Sequence, residues 1–176
     1  MALGTEVRRQ SRKWLTIHHG IVELSENGQK SQFSYVEGRL VSIYTKQRTY
    51  GGENVTKWFI DIADEDGTLY TVSFPYYSGT FKSIVLALVS DNTLCGGSMV
   101  RIEPYQKGSF TNVTVWSDGV KLDWMTKKLP PIEEVKVGDR IYKDETKRMA
   151  FIAAIVNKLN QRLSVKNKGG YGSIDI

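Results

Sequence analysis

The chain has 176 residues, 40% hydrophobic and 11% aromatic, with 24 basic against 19 acidic side chains for a net charge of +5. That composition can bury a core and excludes a disordered polymer, and no apolar run approaches the roughly eighteen residues a membrane-spanning helix needs. The lone Cys95 excludes an internal disulfide and suits a reducing cytoplasm, and the opening MALGTEVRRQSRKW has no apolar h-region, so no signal peptide is expected.

In chain order, residues 5–13 (TEVRRQSRK) read as a mobile basic arm, and residues 14–24 (WLTIHHGIVEL) are strand-like. A polar turn, SENGQKSQ, holds Asn27 and Gly28, so residues 1–34 are expected to form a basic arm and a β-ribbon. YVEGRLVSIYTKQRTY then reads as a long first barrel strand, with Gly38 placed for a bend or bulge. Gly51 and Gly52 turn into a second strand, VTKWFIDIA, and DEDGT turns into a third, LYTVSFPYY. The period then changes: Phe81, Ile84, Val85, Leu88 and Val89 recur at helical spacing, with Ser78 as the expected N-cap. GGSMVRIEPY is a fourth strand, and residues 112–122 form a fifth strand or hairpin.

Three strands, a helix and two strands is the order of a five-stranded OB barrel. The fold class expected is therefore mainly β: an OB-like barrel over 35–128 with its helix between strands three and four. Leu129, Pro130 and Pro131 mark a boundary. Residues 129–165 are read as a linker, a short strand-like segment (IEEVKVGDRIYKD) and a long C-terminal helix N-capped by Asp144. Its stripe of Ile152, Ile155, Val156, Leu159 and Leu163 needs a surface, in this chain or in a homo-oligomer. Residues 166–176 are expected to be a flexible tail.

Catalytic chemistry is hard to place. Neighbouring strand residues point to opposite faces, so His18 and His19 do not share a metal. Cys95 has no other histidine to activate it. The DEDG run is hairpin chemistry with the wrong spacing for a calcium loop, and no phosphate-binding glycine loop is present. No enzyme activity, metal or cofactor is expected.

Binding chemistry is easier to place. Residues 35–128 carry ten basic and ten acidic groups, but four of those carboxylates crowd into residues 61–67 and leave the rest basic. Tyr44, Lys46, Arg48 and Tyr50 alternate along one strand and so share a face. Lys57 and Phe59 occupy one face of the second strand, while Trp58, Ile60 and Ile62 take the other as core. Arg101, Tyr105, Lys107 and Phe110 decorate the fourth strand and the loop after it. Aromatic rings interleaved with cations are what single-stranded nucleic acid needs, stacking on the one and phosphate pairing on the other. Tyr44, Tyr50, Phe59, Tyr105 and Phe110 are the expected stacking residues; Lys46, Arg48, Lys57, Arg101 and Lys107 are the expected phosphate partners. Arg8, Arg9, Arg12 and Lys13 would add loose backbone contacts. Tyr76 and Tyr77, beside Pro75, read as a cap on the barrel end.

VEGRLVSI, DIADEDGTLYTVSFPYYSG and GGSMVRIEPY with its following hairpin resemble OB-fold single-stranded DNA-binding proteins of phage and mobile-element replication. The resemblance spans about residues 35–125 and lies in the layout of elements. It implies sequence-tolerant binding of single-stranded DNA in replication, recombination or repair. The tail NKGGYGSIDI, with Asp175 as its one carboxylate side chain, departs from the acidic tail common in that group. RNA fits the same stacking chemistry. The competing expectation is an OB-like structural or adaptor module that mediates protein assembly.

Overall fold

The computed structural model describes residues 3–4, 11–124 and 129–165. Arg8, Arg9 and the tail from 166 lie outside that range. Eleven strands and two helices alternate as β1 (Arg12–His18), β2 (Ile21–Glu26), β3 (Gln29–Phe33), β4 (Val36–Tyr50), β5 (Glu53–Ala63), β6 (Leu69–Pro75), α1 (Gly79–Ser90), β7 (Met99–Lys107), β8 (Phe110–Ser117), β9 (Val120–Lys121), β10 (Glu133–Val137), β11 (Arg140–Asp144) and α2 (Thr146–Leu163). Nine strands make one mixed sheet in the order β3-β2-β1-β6-β5-β4-β7-β8-β9, while β10 and β11 form a separate hairpin. The chain is mainly β, as expected, and its large sheet is mixed and not closed.

The difference starts at the N-terminus. Residues 14–24 are not one strand: His19 and Gly20 take positive φ of 51° and 75° and fold them into the β1–β2 hairpin. A second turn at Asn27 and Gly28 adds β3. β1 then lies parallel to β6, pairing Trp14 with Thr71 and Leu15 with Val72. Part of the expected mobile arm is thus a strand inside the sheet. The β1–β2 turn also reaches the β7–β8 hairpin, where the Gly20 N–H donates to Thr111 Oγ1 at 3.2 Å.

Alternation along β4 changes phase partway. Val36, Gly38 and Leu40 face the core, the register shifts between Leu40 and Ser42, and Ile43 is then the buried residue. The bulge therefore sits at Val41 rather than at Gly38. Gly38 serves close packing: a Cβ there would stand 2.6 Å from the Ala63 carbonyl oxygen and 2.6 Å from Ile62 Cγ2. A backbone oxygen cannot step aside cheaply, so Gly38→Ala should destabilise the protein by about 2 kcal/mol, read as an earlier urea midpoint with an unchanged slope. An unmoved midpoint would mean that β5 tolerates a wider spacing there.

The core lies between the inner face of the curved sheet and the two helices. On α1, Ser78 Oγ accepts from the Phe81 N–H at 3.1 Å, as expected of an N-cap. Phe81 stacks on Trp58 at 4.7 Å and Trp58 on Tyr76 at 5.9 Å, so Tyr76 does pack as a cap on this end. The α2 stripe is consumed within the chain: Ile152, Ile155, Val156, Leu159 and Leu163 are all buried. An oligomer through that stripe would have to strip α2 from α1 and β4, so the stripe is not free to form the expected homo-oligomer contact. The start of α2 also differs by one residue from the expected cap. Asp144 Oδ1 accepts from the Thr146 N–H and hydroxyl, while the cap position itself falls to Glu145.

Two polar devices fix α2 in place. Lys82, nearly buried, pairs with Glu145 at 2.7 Å. Asn160 presents its carboxamide to the edge of β4 beyond the point where β7 leaves it: Oδ1 accepts from the Ile43 N–H at 3.0 Å and Nδ2 donates to the Ile43 carbonyl at 2.8 Å. A side-chain amide thus replaces a strand's peptide group at an otherwise unpaired, buried position. Among the described residues no helix is long and apolar enough to cross a membrane.

Candidate nucleic-acid interface

Strand parity sorts the polar and aromatic residues of β4, β5, β6 and β1 onto the face of the sheet opposite the core. Cross-strand partners there are Ser42 with Asp61, Tyr44 with Phe59, Lys46 with Lys57, Phe59 with Ser73, Asp61 with Thr71, and Thr71 with Trp14. Trp58, Ile60 and Ile62 point inward, as their alternation predicts. The Val41 bulge is what turns Tyr44, Lys46 and Arg48 outward while Ile43 enters the core.

Three rings form a shelf. Tyr44 stacks on Phe59 at 5.5 Å, and Trp14 meets Phe59 edge-on at 6.1 Å. Phe59 is only 3% exposed, so it is the floor of the shelf and offers no free face for stacking, contrary to its expected role. Trp14, 40% exposed, takes that role. Cations ring the shelf. Arg12 and Arg48 each hold their guanidinium 5.5 Å from the Trp14 ring, Lys46 sits 5.6 Å from Tyr44, and Lys57 lies 5.8 Å from Tyr50.

Beneath the rings lies a buried carboxylate. Asp61 accepts from Thr71 Oγ1 at 2.6 Å, from the Tyr44 hydroxyl at 3.1 Å and from Arg12 Nη1 at 3.3 Å. The Arg12 guanidinium is held further by Thr71 Oγ1 at 2.7 Å and Tyr44 Oη at 3.1 Å. Burial raises the Tyr44 phenol above its usual range; the Arg12 hydrogen bond opposes this and the nearby Asp61 charge adds to it. Its hydroxyl therefore stays a donor at neutral pH. Arg12 is a fixed part of the floor, not a loose contact.

The outer cations differ. Lys46 and Lys57 are direct cross-strand partners of like charge, an arrangement that costs stability on its own. Among the described residues, Lys46, Arg48 and Lys57 form no ion pair and no hydrogen bond, only the ring contacts above. The acidic turn after β5 lies at the far end of the β5–β6 pair from Lys57.

The second expected group stands apart. Tyr105 and Phe110 are exposed on the β7–β8 hairpin, Phe110 at 73%, with Lys107 paired to Phe110 across the turn. Among the described residues no hydrogen bond, ion pair or ring contact joins them to the shelf. Arg101 is not a free phosphate partner: its guanidinium lies 3.7 Å from the Tyr35 ring, with Glu103 at 3.7 Å and Glu37 at 3.9 Å from its Nε. Trp14 is the residue that sequence reasoning missed, and Arg12 was expected only as a loose backbone contact. Their signal was there, since Arg12, Trp14 and Thr16 alternate just as Tyr44, Lys46 and Arg48 do.

Elsewhere, His18 pairs with Glu23 at 3.1 Å and Cys95 is buried. Among the described residues no three His, Cys, Asp or Glu side chains gather at a spacing that could hold a metal ion. Comparison with protein-family models, with curated proteins and with solved structures yields no match to this chain.

Proposed function

We propose that the outer face of β1, β6, β5 and β4 binds single-stranded DNA without sequence preference and without catalysis. The observation that carries this reading is the trio Lys46, Arg48 and Lys57: three cations beside exposed or half-exposed rings, with no carboxylate among the described residues to neutralise them. Folding gains nothing from placing two lysines opposite each other, whereas a polyanion repays it. Arg48 covers Trp14 and Phe59 in the free protein. A base sliding onto Trp14 takes over the ring, and Arg48 turns to the adjoining phosphate. Arg12, tied to Asp61, keeps the other side of the indole in place.

The strand order supports an OB-like description of the middle of the chain. β6-β5-β4-β7-β8 are consecutive neighbours, and α1 lies between β6 and β7 in sequence. β1 stands beside β6, where a closed barrel of those five would bring β8, and the β1–β2 turn spans the remaining gap to the β7–β8 hairpin. Tyr105, Lys107 and Phe110, exposed on the β7–β8 hairpin, would then form a separate lip.

Titration of a labelled oligo-dT against salt tests the reading. With about three to five phosphates contacted, log affinity should fall by roughly 2 to 3.5 per decade of salt, and duplex should compete poorly. Binding that ignores salt, or no binding at low salt, would overturn it. Oligo-U in parallel decides between DNA and RNA. The adaptor reading draws its support from a different place, the exposed β10–β11 hairpin.

A further inference from the structure

The β10–β11 hairpin is unlike the rest of the molecule. Among the described residues it belongs to no larger sheet, packs broadly on no other element, and has two edges without a strand partner. It nevertheless exposes Val135, Val137 (61%), Ile141 (64%) and Tyr142. A lone two-stranded hairpin is marginal in water, and a free edge beside apolar side chains invites another strand.

We infer that β10 pairs with β10 of a second copy of this chain, antiparallel, about a two-fold axis at Val135. The segment Glu133–Val137 reads EEVKV, and its inner three residues are self-complementary in that register, with Glu133 opposite Val137 at each end. Glu134 then faces Lys136 of the second copy, twice by symmetry, and Val135 faces Val135 of the second copy. Within each hairpin Val135 already opposes Tyr142 and Glu134 already opposes Lys143. The pairing therefore completes a row Tyr142–Val135–Val135–Tyr142 across one face. On the other face Glu134 sits between Lys143 of its own hairpin and Lys136 of the second copy.

Alternative registers are worse. Moving the axis to Glu134 or to Lys136 sets that charge against itself. Pairing through β11 about Tyr142 puts Ile141 opposite Lys143 of the second copy, and the Arg140–Asp144 pairs it would form draw on a carboxylate already committed to the Thr146 N–H and hydroxyl. The charges that discourage indiscriminate edge pairing thus select one partner and one register. Pro130 and Pro131 precede β10, and Pro131 has no N–H to extend the ladder. The contact is consequently short, and the dimer should be weak and concentration-dependent.

Sedimentation velocity on the full chain, from about 5 to about 500 µM, tests this. The wild-type chain should shift from monomer toward dimer over that range. Glu134→Lys and Lys136→Glu should each raise the dimer dissociation constant by roughly tenfold or more, since each converts two attractive pairs into two repulsive ones. An equimolar mixture of the two variants should dimerise again, as should the double variant E134K/K136E. Lys136 opposes Ile141 within its hairpin, so the thermal melt of Lys136→Glu should match wild type, and this variant carries the test; Glu134→Lys also sets a lysine opposite Lys143, so its far-UV spectrum checks that the hairpin is retained. A chain that stays monomeric throughout overturns the proposal and leaves the edge to a strand of another protein. A dimer indifferent to the single variants, or one that mixing does not restore, overturns the register.

Discussion

Trp14→Ala should weaken binding of an oligo-dT of about thirty nucleotides by about tenfold to a hundredfold at low salt, the cost of one stacked base. The ring is half-exposed, lies against Phe59 and is covered in the free protein by Arg48. Its removal costs some packing on Phe59, so the melting temperature should drop by no more than about 5 °C. Trp14→Phe, which keeps an aromatic face, should recover much of the affinity. Binding should also quench Trp14 fluorescence, and the variant should lose that response. Tyr105→Ala provides the comparison. Tyr105 belongs to the separate lip, so its loss should cost less than that of Trp14. Full affinity in the Trp14→Ala protein would remove the shelf from consideration and move the search to β7 and β8.

The second large effect concerns stability. Asn160→Ala should lower the melting temperature by about 5–15 °C, because it removes two hydrogen bonds and strands the buried N–H and C=O of Ile43. Ile43 is 1% exposed, so bulk water is a poor substitute. Asn160→Leu tests the point from the other side: it restores volume without polarity and should fail to rescue. A melting temperature within about 2 °C of wild type in both variants would show that β4 relaxes to satisfy Ile43 in another way. Because β4 also carries Tyr44, Lys46 and Arg48, loosening its edge should weaken oligonucleotide binding in proportion to the loss of order.

The middle of the chain was legible because its signals are local. Alternation separated Trp58, Ile60 and Ile62 from Lys57 and Phe59, and the change to helical spacing located α1 and its Ser78 cap. The misses share a cause. The turn at His19 and Gly20 leaves only a weak local signal, a histidine at positive φ before a glycine. With that turn hidden, β1 could not be seen as a strand pairing with β6, nor Trp14 as part of the shelf and Arg12 as part of its floor. The bulge at Val41 is a property of the β4–β5 register and not of any residue there. Burial of Phe59 follows from Trp14 covering it, so its role could not be judged while Trp14 was unplaced. The charge of Arg101 is met by Glu103, two residues on, and by Glu37, distant in sequence and adjacent only once β4 pairs with β7.

The pairing of β1 with β6 has a consequence for how the chain reaches this state. β1 leaves the ribosome well before its neighbour: Arg12 and Thr71 are 59 residues apart in sequence, and the amide that closes the β4 edge is 117 residues beyond Ile43. Contacts of such separation cost loop-closure entropy before they return any enthalpy, and they slow folding. The β4–β5 and β7–β8 hairpins can zip early, but the shelf assembles only after β6 has captured β1. The open flank of β4 stays unsatisfied until α2 has been synthesised. Assembly of the aromatic shelf should therefore be a late kinetic event, and in refolding experiments Trp14 fluorescence should report it after the hairpins have formed.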